Sequence, residues 1–412
     1  MRNFLDSACK RIIGWLLGNA FSDDSLKIAF IQTWKGLILF EDCCGDGFVQ
    51  RIAQCGTGMR YCGQDNSWNS AARGGCDQAD GGEGTAIALM AASGGQWIDK
   101  TVMGPLPEME VLAGFVWFED NATAVVEMAT VSGLQLLCPE QRNPLKTTTY
   151  GTGQLVRAAI DKGARHILLA IGGSATVDGG VGAAMAMGWK FLNQDRMEIG
   201  LGGGELLRIN TISPPCAGLT SATVEVLCDV DNPLCGPQGA ARVYGPQKGA
   251  TPQIVDLLDA ALSHLADKIK NQLGCEIRSL PGSGAAGGLA AGAIAFLKGR
   301  LVSGIDAVMS QNRLQEVMSD ADWVITGEGC YDEQSLRGKV ISGVSRVAKE
   351  TNTKVGVIAG QVRLPVEKYR AAGVETAVAC MGSGMKLEFA LANAETLLDR
   401  AAQRFARECL SV

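Results

Sequence analysis

Histidine is nearly absent: only His166 and His264 occur in 412 residues. That scarcity argues against a Ser-His-Asp hydrolase and against histidine-built metal sites. Cysteine is present fourteen times but never as a CxxC pair, and its dispersal through a long chain predicts free thiols rather than disulfides. No GxxxxGK[ST] stretch occurs, which excludes a P-loop kinase. No GxGxxG opens the first helix with an acidic residue about twenty positions on, which weighs against a nicotinamide-dependent oxidoreductase. Long apolar runs are missing too. The longest early one, Ile12 to Leu17, is interrupted by Gly14 and cannot span a bilayer; it follows Lys10 and Arg11 only weakly in the manner of a signal peptide, so a cytoplasmic chain is expected. Basic residues are outnumbered by acidic ones, 37 to 43, and the net charge of −6 gives no electrostatic ground for a nucleic-acid or membrane partner. Small-molecule chemistry is what remains.

The chain is 47% hydrophobic and long enough for two domains. It has no internal repeat and no low-complexity linker. Residues 1–78 hold six of the fourteen cysteines and three of the seven tryptophans, with no clear period after about Phe40. From Ala79 onward, β-branched runs end in glycine clusters that open Ala/Leu-rich stretches of helical spacing. This alternation predicts an α/β fold.

The most informative unit runs from His166 to Leu192. A strand over His166–Ile171, a GGSATVDGG loop at 172–180 and a helix over Val181–Leu192 together form the layout of an anion site. Glycines such as Gly172 and Gly173 let backbone N–H groups face a phosphate or carboxylate, and the helix N-terminus adds a favourable dipole. Ser174 and Thr176 can donate hydroxyl hydrogen bonds; Asp178 could hold a metal or accept a proton, or simply cap a turn. A second unit places TGEG at 326–329 after a strand at Ala321–Ile325, followed by Asp332, Ser335 and Lys339. Glu328 and Asp332 are base or metal candidates at a strand's carboxyl end. Between them, a short strand at Val224–Cys228 ends in Asp229 and Asp231, paired carboxylates of the kind that suit Mg²⁺, or a turn. Lys248 in GPQKG, Ser283 and Gly284 in PGSGAAGG, and Asp80 and Glu83 in ADGGEG are further phosphate or metal candidates. Five glycine loops bearing Asp, Glu, Ser, Thr or Lys point to metal-assisted phosphoryl transfer.

Taken together, ADGGEGT, RNPL with YGTG at 142–153, GGSATVDGG, CDVDNPL at 228–234, GPQKGAT at 245–251, GAAGG at 284–288 and TGEG with Asp332, Gln334, Ser335, Gly338 and Lys339 resemble the bacterial type I glycerate kinases, in the family's order, from residue 79 to about 405. The resemblance implies ATP- and Mg²⁺-dependent phosphorylation of D-glycerate at the 2-hydroxyl, in glycolate, glyoxylate or glucarate catabolism. It implies two α/β domains: a Rossmann-like one split between both ends of the chain, with 286–412 its C-terminal part, and a second inserted at 79–285; residues 1–78 stand apart as an anomalous N-terminal segment. The cleft between the two domains would hold the substrates. A homodimer is expected on the same ground.

The resemblance fails at two places. Cys330 stands where the family usually carries Arg, and the family's opening strand, of the type Lys-Ile-Val-Ile-Ala-Pro followed by Asp-Ser-Phe-Lys-Glu-Ser-Leu-Ser, is missing. Encoding the latter peptide as GATTCGTTCAAAGAATCGCTCAGTGC and reading from its third base yields Phe-Val-Gln-Arg-Ile-Ala-Gln-Cys, the residues at 48–55. We therefore expect residues from about Phe40 to Gln78 to be a frame-shifted translation, with residues 1–39 from upstream of the usual start. Such a chain should lose active-site groups and leave an unpaired sheet edge. A homologue that binds ligand without turnover is the alternative this opens.

Overall fold

The computed structural model describes residues 28–34, 37–42, 84–216, 222–311, 314–336 and 340–409. They fall into two compact units: Ala79–Val308, and Met309–Val412 together with two strands, β1 (Ile28–Trp34) and β2 (Leu37–Asp42). The division lies beyond the expected boundary at 285, because residues 286–308 contribute a helix and an edge strand to the first of these units.

In that unit helix α1 (Thr85–Ser93) precedes β3 (Gln96–Met103), β4 (Glu110–Phe118), β5 (Thr123–Glu127) and β6 (His166–Ala170). After the short strands β7 (Lys190–Leu192) and β8 (Thr211–Ser213), the sheet is completed by β9 (Thr223–Leu227) and β10 (Arg300–Val302). Its order is β10-β9-β6-β5-β4-β3, parallel from β10 to β5 and antiparallel beyond. The five residues of β5 are all buried, as are the last four of β6 and of β9; near-continuous apolar runs are what strands covered on both faces require.

Helices α2 (Tyr150–Lys162) and α5 (Leu289–Leu297) pack on this sheet, α3 (Val181–Ala186) packs on those two helices, and α4 (Pro252–Leu273) packs on β8 and the 203–208 turn. Helix α4 shows why the sequence folds locally as it does. Thr251 caps it by accepting from the Ile254 N–H, Pro252 opens it, and Gly274 ends it in the left-handed region. Val255, Leu258, Leu262, Leu265 and Ile269 form its buried stripe. The helix expected to reach Leu192 stops at Ala186 instead. Gly188, at φ 92°, turns the chain, and Lys190–Leu192 continues as β7, paired with β8.

The other unit carries β11 (Trp323–Thr326), β12 (Cys330–Tyr331), β13 (Lys354–Ala359), β14 (Gln361–Val362) and β15 (Thr376–Ala379), with helices α6 (Val340–Thr351) and α7 (Ala394–Cys409). Its main sheet runs β15-β13-β11-β1-β2, parallel except for β2. Among the described residues β11 is not left as the unpaired edge that was expected: Ile28, Ala29 and Phe30 pair in register with Trp323, Val324 and Ile325. A backbone ladder asks only for an extended segment, so a different sequence can occupy the slot. Phe405 of α7 stacks edge-on against Trp323, their centroids 5.4 Å apart, and closes one face.

Candidate functional site

Open parallel sheets present ligand sites at their strands' carboxyl ends. In the Ala79–Val308 unit the loops leaving β6 and β9 emerge side by side, and motifs distant in sequence pack onto them. The 172–180 loop is pinned first by short β-type contacts: Gly133 bridges Ser174, Leu134 N–H donates to the Gly173 carbonyl, and Ala175 N–H to that of Ser132. The 281–288 loop locks in from the other side. Gly179 N–H donates to the Gly287 carbonyl at 3.0 Å, and a Cβ on Gly287 would lie 1.9 Å from the Thr176 carbonyl oxygen. Gly287 also sits at φ 66°, so Gly287→Val should cost about 3 kcal/mol, from left-handed strain plus overpacking. A urea titration measures it; a loss under about 1 kcal/mol would mean that the two loops separate easily. The Asp229–Leu234 turn joins through Gly284 N–H, which donates to the Asn232 carbonyl at 2.9 Å.

Asp178 is the anchor of this cluster. It is fully buried, and its carboxylate accepts from the N–H groups of Thr149 (2.8 Å), Gly180 (3.1 Å) and Gly182 (3.3 Å) and from the hydroxyls of Thr149 (2.8 Å) and Thr148 (3.4 Å). Burial raises its pKa, and these donors pull it back. A carboxylate so occupied fastens the start of α2 to the 178–182 turn. Thr148 and Thr149 were not singled out in the sequence, although a Thr-Thr-Thr run before YGTG is a capping signal.

Lys248, a candidate phosphate clamp in a glycine-bounded loop, does not lie on a plain surface turn. It is 2% exposed, and its Nζ donates to Ser174 Oγ and to the Thr176 carbonyl, both at 2.7 Å. Burial pushes its pKa down to about 7, with Asp178 opposing the shift. In the unfolded chain the amine keeps its proton to about pH 10.4. Between those values the unfolded state binds more protons, so stability contributed through this group rises with pH and is lost as pH falls towards 7. Lys248→Met should remove a rising contribution of up to about 1.4 kcal/mol per pH unit, read as the difference between the two proteins in urea unfolding from pH 7 to 10.

Two fully buried hydroxyls of the cluster, Thr176 Oγ1 and Ser283 Oγ, have no hydrogen-bond partner among the described residues, and neither has the buried Arg142 Nε. Each such group costs about 1–3 kcal/mol if left unsatisfied. The cluster thus holds polar capacity beyond what its own folding consumes. Arg142 belongs to the RNPL stretch, whose backbone lies against Gly249: a Cβ there would meet the Arg142 carbonyl oxygen at 2.3 Å.

Asp229 and Asp231 are exposed beside these loops, and Asp229 Oδ1 also accepts from Gly304 N–H at 3.0 Å, at the start of the helix Gly304–Gln311. Among the described residues no three His, Cys, Asp or Glu side chains gather into a metal cluster. Asp80, Glu83 and Lys339 lie outside the described residues. The buried Glu127, ending β5, accepts from the N–H groups of Gly84 (2.7 Å) and Ala86 (3.3 Å) and so holds the end of the ADGGEG segment; a carboxylate closing the run TAVVE was the available sign.

In the second unit, Glu328 and Asp332 follow β11. Gly360 N–H donates to the Glu328 carbonyl at 3.0 Å, which ties TGEG to the end of β13. Ser335 is buried, accepts from Asp332 N–H at 3.2 Å and donates to the Cys330 carbonyl at 3.4 Å, so its hydroxyl shapes the turn around Asp332.

The model of the glycerate kinase family matches residues 63–410. The chain belongs to the glycerate kinase family. It is 44% identical over 330 residues to a glycerate kinase of Halalkalibacterium halodurans, covering 80% of this chain and 87% of that protein. It is 43% identical over 330 residues to the glycerate 2-kinase of Escherichia coli, covering 80% and 86%. A crystal structure assigned as glycerate kinase 2 from Salmonella typhimurium LT2 superposes with a TM-score of 0.71 at 40% identity, covering 81% of this chain and 87% of that one. The motifs that pack together at the ends of β6 and β9 are those through which this glycerate kinase family member resembles the type I enzymes. No helix among the described residues is long and apolar enough to cross a membrane.

Proposed function

We propose that this chain phosphorylates D-glycerate, with ATP as donor and Mg²⁺ as the accompanying ion, to give 2-phosphoglycerate. The observation that carries the reading is the convergence of RNPL, GGSATVDGG, the Asp229–Leu234 turn, GPQKG and GSGAAGG on one end of a parallel sheet. Such glycine loops suit an anionic substrate because their backbone can approach it closely. Exposed hard oxygens fit Mg²⁺, which takes one or two carboxylates and fills its remaining positions with water or phosphate oxygen. Asp229 and Asp231 would hold it, and when bound it would offset charge on the transferring phosphoryl group. The loops fastened together by Asp178 would orient the acid. The same reading makes the enzyme a cytoplasmic homodimer serving glycolate, glyoxylate or glucarate catabolism.

Coupled ADP release with D-glycerate, ATP and Mg²⁺, followed by ³¹P NMR of the product, tests it. Formation of 2-phosphoglycerate is expected. ADP release indifferent to D-glycerate would overturn the substrate, and 3-phosphoglycerate would overturn the position.

A further inference from the structure

Lys248 is nearly sealed from solvent, yet it touches a residue at the rim of the loop cluster. Ser174 is 8% exposed, and of the two residues before it Gly172 is half-buried and Gly173 is exposed. Nζ carries only hydrogens when protonated, so in the 2.7 Å contact Ser174 Oγ is the acceptor. The serine's own hydrogen is then released from that contact and can turn towards the open Gly172–Gly173 side. The second bond of Nζ, to the Thr176 carbonyl, fixes the ammonium from beneath, and the bridge to Gly133 fixes the Ser174 backbone. A hydroxyl that accepts a charge-assisted hydrogen bond becomes a better donor.

We propose that Lys248 is a positioning residue that acts through Ser174, turning its hydroxyl into a polarised donor for an anionic oxygen of the bound substrate. This rests on the functional reading above and makes Ser174, rather than the lysine, the group in contact. The anionic oxygen belongs to a carboxylate or a phosphoryl group, and the two are separated by the probe used. Because the lysine must be charged for the relay to act, affinity should fall as pH rises above neutrality.

The test is calorimetric binding of D-glycerate and, separately, of ATP with Mg²⁺, to the full chain and its variants from pH 6 to 9. Ser174→Ala should weaken one probe roughly tenfold to a hundredfold, and Ser174→Thr should restore much of it. Lys248→Met should weaken the same probe, and the double variant should bind no worse than the weaker single one. The fall in affinity with pH should be present in the wild type and absent in Ser174→Ala. Loss confined to D-glycerate assigns the donor to a carboxylate; loss confined to ATP assigns it to phosphate. Unchanged binding by Ser174→Ala, or a pH profile that survives it, overturns the proposal while the functional reading stands. Binding of neither probe by the wild type overturns both. Should Lys248→Met fail to fold by circular dichroism, the serine variants and their pH profiles decide alone.

Discussion

Replacing Asp178 by alanine is expected to remove about 3–5 kcal/mol of stability, comparable with a large share of what a domain possesses. The substitution strips the acceptor from three backbone N–H groups, of Thr149, Gly180 and Gly182, in a fully buried place. It also withdraws the negative charge that favours the protonated form of buried Lys248. Asp178→Asn should lose less, since its carbonyl oxygen can serve some of those donors while its amide opposes others. Urea titration monitored by circular dichroism gives both values. If alanine costs under about 1 kcal/mol and the folded variant is inactive, Asp178 is a reacting carboxylate after all, and its burial must be relieved when substrate binds.

That alternative shows how far the sequence reaches. GGSATVDGG was legible as a loop at a strand end because its glycine pairs follow an apolar run, a strictly local signal. What Asp178 does there was not legible, because the threonines it binds lie 29 and 30 residues earlier. Lys248 is a similar case: a lysine between glycines reads as exposed, and the contacts that bury it come from residues 72 and 74 positions away. Local pattern also overran at Val181–Leu192, where an Ala/Met-rich stretch continued the helical spacing and Gly188 carried the only sign of the turn into β7. The fold class and the order of its units needed only alternation of strand, glycine loop and helix. The burial and pairing of individual charges needed the long-range packing.

The amino end separates the two levels most sharply, and the largest change in activity is expected there. Strand β1 completes the parallel sheet beside β11, so the architecture of this unit is supplied by the chain as it stands. Chemistry is a different requirement, because a ladder is made of backbone groups whereas phosphoryl transfer needs particular side chains. Ile28-Ala-Phe-Ile-Gln-Thr-Trp34 contains no carboxylate and no amine. The strand that the family resemblance expects is followed by Asp-Ser-Phe-Lys-Glu-Ser-Leu-Ser, whose Asp, Ser and Lys are the types that hold phosphate and metal. A version in which residues 40–78 are restored to the inferred frame should therefore turn over D-glycerate at least about a hundredfold faster than the present chain, the scale on which losing a single electrostatic contact to a transition state is felt. The comparison is a coupled assay on both proteins, with melting curves beside it. Similar melting with unequal turnover would mean that β1 replaces the strand but not its chemistry. Equal turnover would show that residues 1–78 carry functional groups of their own, and the frame shift expected at Phe48–Cys55 would then have no consequence for catalysis.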